Sequence, residues 1–204
     1  AYSLGPIRLS YRTWLAPTVL AVAYAIVPYS LGLLAANGNV DRSDVLLCTS
    51  LYALFLARIN LKDFRDRAGD AAYGKPTLLL ARGKTVTCAV SAIALVVGCA
   101  TLIAALGGHP GGFGIVAVLA AVILAMLRWL WSTSDPREEQ LAIGLGAKLG
   151  NGLLACTLTW LVLEADGAPE GIRLAAVAFV ALVYGSVFLL LYARRDEIRI
   201  AYKA

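Results

Sequence analysis

The segment Asn60-Leu-Lys-Asp-Phe-Arg-Asp-Arg-Ala-Gly-Asp70, followed by Gly74-Lys75-Pro76-Thr77-Leu78, concentrates the residues of this chain that can do chemistry. Asp63, Asp66 and Asp70 are spaced three and four apart, so a helix would carry all three on one face. Like charges on one face repel, and such a cluster needs a counter-charge. Hard divalent cations supply one: Mg²⁺ accepts a few carboxylates and completes its shell with water and phosphate oxygens. The cations around the cluster, Lys62, Arg65, Arg67, Lys75, Arg82 and Lys84, suit the oxygens of a diphosphate. A plainer reading is also open. Asp63 and Arg67 are spaced for an i,i+4 ion pair, as expected of a solvated, salt-bridged loop.

The elements that position this segment are membrane spans. The chain is 60% hydrophobic and 15% charged, and its mean hydropathy is +0.76, well above the apolar share of an ordinary soluble domain. Six apolar stretches, near 14–36, 43–59, 85–107, 113–132, 141–164 and 172–193, reach or approach the roughly 20 residues that a bilayer core requires. The expected fold class is all-α, a polytopic transmembrane bundle of about six spans in a single membrane domain over 1–204. The charged stretch 59–84 reads as a long loop carrying a short surface helix over about 61–72, with Gly74 near its end and Pro76 as a stop. Pro17 and Pro28 are expected to kink the first span, near Tyr24 and Tyr29.

Charge asymmetry orients the bundle. The N-terminal segment, the 58–84 loop, the fourth-to-fifth connection and the C-terminal tail fall on one side and hold 15 of the 18 basic residues. Arg42 and Arg173 fall opposite, and Lys148 lies within a span. The positive-inside rule then puts both termini and the acidic segment in the cytoplasm, and the Ala-rich, Arg-over-Lys composition suggests a bacterial cytoplasmic membrane. A net charge of +5 reflects topology and anionic lipid rather than nucleic acid. Cys48, Cys88, Cys99 and Cys156 all lie in apolar spans without Cys-x-x-Cys spacing, which suits packing rather than disulfides or zinc. His109 is the single histidine and sits in a Gly-rich turn, so histidine acid–base chemistry is not expected. Lys148 and Asn151 share a face of the fifth span. They suit either a phosphate or acceptor contact or an interhelical hydrogen bond.

Arg65-Asp66-x-x-x-Asp70-x-x-x-Gly74-Lys75-x-Thr77-Leu78 resembles the second aspartate-rich motif of the UbiA superfamily of intramembrane prenyltransferases. Tyr2-Ser-Leu-Gly-Pro-Ile-Arg-Leu9 resembles that family's cytoplasmic loop two spans earlier, commonly Tyr-Ser-x-Pro-Pro-x-Arg-Leu-Lys. Gly5 and Ser10 depart from that pattern. The resemblance implies a helical bundle with a membrane-facing cavity. There a polyprenyl diphosphate is held through Mg²⁺, and its ionised prenyl group is captured by an acceptor. By position, Asp66 and Asp70 would hold Mg²⁺, with Asp63, where many relatives have Asn, serving the metal or its water shell. Arg65 and Lys75 would orient the motif or contact phosphate, and Tyr2 and Arg8 would contact substrate from the earlier loop. Lys148 is a further candidate contact. The family's first motif, Asn-x-x-x-Asp-x-x-x-Asp, does not occur in these 204 residues. The resemblance therefore covers about the C-terminal two-thirds of such a protein, its flanking spans expected to precede this sequence. These residues alone are expected to be inactive. The acceptor stays open among aromatic or quinone precursors, tetrapyrroles, glycerol phosphates and sugar phosphates. Two other functions stay open: a UbiA-type terpene cyclase, and a non-catalytic structural or lipid-binding subunit of a membrane complex.

Overall fold

The computed structural model describes residues 8–36, 38–107 and 110–194. Tyr2 and His109 lie outside the described residues. Among the described residues, six helical segments are long and apolar enough to cross a membrane, one for each expected stretch. The chain divides into two units, Ala1–Ala105 and Leu106–Ala204.

In the first unit, a 3₁₀ turn Leu9–Tyr11 precedes a span built of α1 (Leu15–Ala21), a π-turn Val22–Ile26 and α2 (Val27–Ala35). Pro28 stands in the first turn of α2 and has no N–H to return to the preceding turn. The wider π-turn absorbs that missing bond. Tyr24 is exposed and stacks on Phe55, with ring centroids 5.8 Å apart.

α3 runs from Arg42 to Ala72 without a break. Asp41 and Asp44 form a reciprocal capping box at its start, each carboxylate accepting the other's backbone N–H at 2.9 Å. At 31 residues the helix is about 46 Å long, against about 30 Å for a hydrocarbon core. Residues 61–72 are helical as expected, but they are the last turns of this span and not a separate surface helix. The expected loop over 59–84 contracts to the segment 73–77. Leaving the membrane does not oblige a helix to end, because its backbone bonds are internal and indifferent to the solvent outside.

What ends α3 is Gly74. Its φ of 62° is left-handed, a region where a Cβ is strained. The N–H of Gly74 bonds the Ala71 carbonyl at 3.1 Å, and the N–H of Lys75 bonds the Asp70 carbonyl at 2.8 Å. These two bonds are the Schellman pattern that satisfies a helix C-terminus. Pro76 follows, and Thr77 opens α4 (Leu78–Ala105), its hydroxyl accepting from the Leu80 N–H at 3.4 Å. α4 is interrupted at Gly83 (φ 80°), so its spanning part begins just after that residue, near the expected position 85.

α3 and α4 pack closely through small residues. Ser50 is fully buried and donates to the Gly98 carbonyl at 2.8 Å. A Cβ at Gly98 would lie 2.7 Å from Leu54 Cγ. In lipid, where tails are as apolar as leucine, such close approach and interhelical bonds hold helices together.

The second unit comprises α5 (Pro110–Ser132), α6 (Pro136–Ala165) and α7 (Glu170–Ala193). Asp135 caps α6 by accepting the Arg137 N–H at 3.0 Å. One face of α6, including Leu141, Leu145, Cys156 and Trp160, is buried. Gly152 admits Tyr184, whose Cβ is 3.1 Å from where a glycine Cβ would stand. Cys88, Cys99 and Cys156 are buried free thiols and Cys48 is half-buried, in keeping with a packing role.

Two stability effects follow. Gly98→Val should overpack the α3–α4 contact against Leu54 and cost about 2 kcal/mol, read as a lower thermal midpoint in detergent. Gly74→Ala should cost about 1 kcal/mol through its left-handed backbone, and Gly74→Asn distinctly less. Equal midpoints for the parent and Gly74→Ala would contradict the role given to this turn.

Candidate active site

The last turns of α3 face a cleft. Its walls come from three segments far apart in sequence: Arg12, Thr13, Ala16, Pro17 and Leu20 from the start of the first span, Ile59, Asn60, Lys62, Asp63 and Asp66 from α3, and Lys75, Pro76 and Thr77 from the turn. The cavity volume is about 60 Å³, room for a metal ion or a few waters rather than a large organic group.

α3 places Asn60, Asp63 and Asp66 at intervals of three, so they descend one face of the helix into the cleft. Asn60 is buried, and its amide Nδ2 donates to the Leu56 carbonyl at 3.0 Å. Asp63 is half-buried. Asp66 meets Lys62 Nζ at 3.5 Å and Arg65 Nε at 3.4 Å. These pairs are largely solvated and contribute little to stability. Arg65 thus sits against Asp66, while the Arg67 guanidinium lies over the Phe64 ring, 5.4 Å from its centroid.

Asp70 behaves differently. It does not line the cleft. One oxygen accepts from Lys75 Nζ at 3.0 Å, and the other, Oδ2, is buried without a hydrogen-bond partner. The Schellman turn produces this pair: by folding the chain back at Gly74 it returns Lys75 over the last turn of α3. Asp70 therefore holds a cation in place beside the cleft.

Of the other expected residues, Arg8 does not line the cleft. Arg8, with φ 41°, is exposed and lies over the Tyr11 ring at 5.7 Å. The Tyr11 hydroxyl in turn lies 3.4 Å from the Tyr73 carbonyl. Lys148 is exposed on α6, in the second unit.

Among the described residues, no three His, Cys, Asp or Glu side chains converge as a metal cage. Mg²⁺ does not require one, since one or two carboxylates, water and substrate phosphate complete its octahedron. Asp63 and Asp66 opening into one cleft provide that minimal donor set, so the residues present fit such an ion.

Among the polar residues lining the cleft, Asn60, Arg12 and Thr13 have no site role in the sequence reading. Asn60 continues the spacing of three backward from Asp63 and was legible in principle. Arg12 and Thr13 carry no local signal, because they meet the turn only through the fold.

The profile of the UbiA prenyltransferase family matches residues 1–152. Among curated proteins, the chain is similar to the bacteriochlorophyll synthase 33 kDa chain of Cereibacter sphaeroides. It is 30% identical over 132 residues, 62% of this chain and 43% of that protein. The chain thus spans less than half the length of this relative. No solved structure matches it significantly. With well over half its length inside the family profile and six apolar helices long enough to cross a bilayer, this chain is an integral membrane protein that belongs to the UbiA prenyltransferase family.

Proposed function

We propose that the chain carries the second aspartate-rich half of a Mg²⁺-dependent site, one that transfers a prenyl group from a polyprenyl diphosphate to an acceptor in the membrane. The observation that supports this best is the composition of the cleft. Asp63 and Asp66 open into it beside three cations, Arg12, Lys62 and Lys75. Carboxylates alone would repel a diphosphate, and cations alone would not hold a metal. Both together match a metal–diphosphate pair.

In this reading Asp63 and Asp66 hold Mg²⁺, and Asp70 acts one step removed by fixing Lys75. When bound, the ion would neutralise charge on the departing diphosphate. Lys75 and Lys62 bind diphosphate oxygens, and Arg65 orients Asp66. Ala16, Pro17, Leu20 and Ile59 give the cleft an apolar side, suited to the first carbons of a prenyl chain and unfavourable to water. Tyr2, Arg8 and Lys148 are further proposed substrate contacts. The basic asymmetry of the loops supports a cytoplasmic cleft, and the Ala-rich, Arg-over-Lys composition supports a bacterial membrane. The name of the bacteriochlorophyll synthase relative makes a tetrapyrrole the first acceptor class to test.

The test uses the full protein that contains this chain, reconstituted with a polyprenyl diphosphate. Diphosphate release should stop on chelation and return with Mg²⁺. Asp66→Asn should lower it at least 100-fold, a barrier increase of about 2.7 kcal/mol. Undiminished release by Asp66→Asn, or in the presence of chelator, would sink the proposal. A cyclic terpene formed without any acceptor would move the assignment to a cyclase.

A further inference from the structure

Local contacts hold the turn that carries Lys75, among them the Schellman bonds at Gly74, the Asp70–Lys75 ion pair and the Thr77 cap of α4. One further contact is long-range. Thr13, at the start of the first span, donates its hydroxyl to the Pro76 carbonyl at 2.7 Å across a sequence separation of 63. The neighbouring tie from Tyr11 to Tyr73, at 3.4 Å, is too long to contribute comparably. Thr13 thus supplies a short bond that fastens one cleft wall to the other. Arg12 precedes it in the chain and lines the same cleft.

The consequence is electrostatic. Lys75 is anchored from α3 by Asp70, and Arg12 stands on the opposite segment. Two cations lining one small cleft repel, and the Thr13–Pro76 bond ties together the segments that carry them. We infer that Thr13 is a positioning residue for diphosphate: it locks the Arg12 and Lys75 walls at the spacing at which both cations address one anion. This rests on the proposed diphosphate site and names a residue that neither motif contains. Preorganisation of this kind raises affinity by removing an ordering cost at binding. It should act without altering the carboxylates that hold the metal.

The test is binding of inorganic diphosphate, in the presence of Mg²⁺, to the full protein that contains this chain. Thr13→Val keeps the side-chain shape and removes the donor; Thr13→Ser keeps the donor. Loss of one hydrogen bond of this class predicts about five-fold weaker binding for Thr13→Val. Thr13→Ser should stay within about two-fold of the parent on the same scale. Arg12→Gln should weaken binding about ten-fold or more, as expected for a lost charge-assisted contact. Thermal midpoints in detergent should be nearly equal for all three. If Thr13→Val does not accumulate in the membrane, Thr13→Ala carries the same comparison. Parental affinity in Thr13→Val, or equal weakening by Val and Ser, overturns the inference, as does parental affinity in Arg12→Gln. Asp66→Asn, measured alongside, separates the two levels. If it loses Mg²⁺-dependent binding while Thr13→Val does not, Thr13 alone is refuted. If Asp66→Asn binds like the parent, the diphosphate site falls, and this inference with it.

Discussion

Crowding of like charge at the end of a membrane helix governs the first unit. Asp63, Asp66 and Asp70 share one face of α3, and in a helix their separations are fixed by backbone geometry rather than negotiable by side chains. Each therefore needs compensation from outside its own row. Lys62 and Arg65 compensate Asp66 from the helix surface. Lys75 compensates Asp70, but only because the chain reverses at Gly74. Asp63 and Asp66 are the carboxylates that open into the cleft. The fold gathers carboxylates and cations in one cleft, where a metal ion and an anionic group could be taken up together.

Continuity of α3 gives that arrangement its stiffness. One helix carries both the Ser50 contact with Gly98 and the Asp63–Asp66 wall of the cleft. The small-residue packing that secures α3 against α4 in the apolar region therefore also fixes the register of the carboxylates beyond it. A short surface helix on a flexible loop would have no such anchor. Sites built on regular elements hold geometry better than sites on loops. Here the membrane-embedded part of the helix acts as the foundation for the polar part.

The sequence reading succeeded where the signal is local and failed where it is not. Six apolar stretches were legible because bilayer thickness imposes a length on them. The shared face of the three aspartates was legible because helical spacing imposes it. The boundary of α3 was misread because the charges from Arg58 onward mark the end of the apolar environment, and that was equated with the end of the helix. Asp70 is expected to hold Mg²⁺ with Asp66 because the family motif implies it, whereas the structure pairs it with Lys75 outside the cleft lining. Its partner, Lys75, is five residues away, a distance that no helical pairing rule connects without a left-handed glycine between them. Thr13 and Arg12 were invisible for the simplest reason: they belong to another span.

The same distinction bears on which residues of the motif are interchangeable. On the proposed function, a cleft-lining carboxylate is defined by what it would bind, so its charge and reach both matter. Asp70 is defined by what it holds, with one oxygen on Lys75 and the other buried without a partner. Such a group couples the ending of a helix to the placing of a cation. Its loss would release Lys75 without removing a donor from the cleft. The aspartates that look equivalent by spacing thus divide into two kinds of work, and the division is made by Gly74, a residue with no side chain at all.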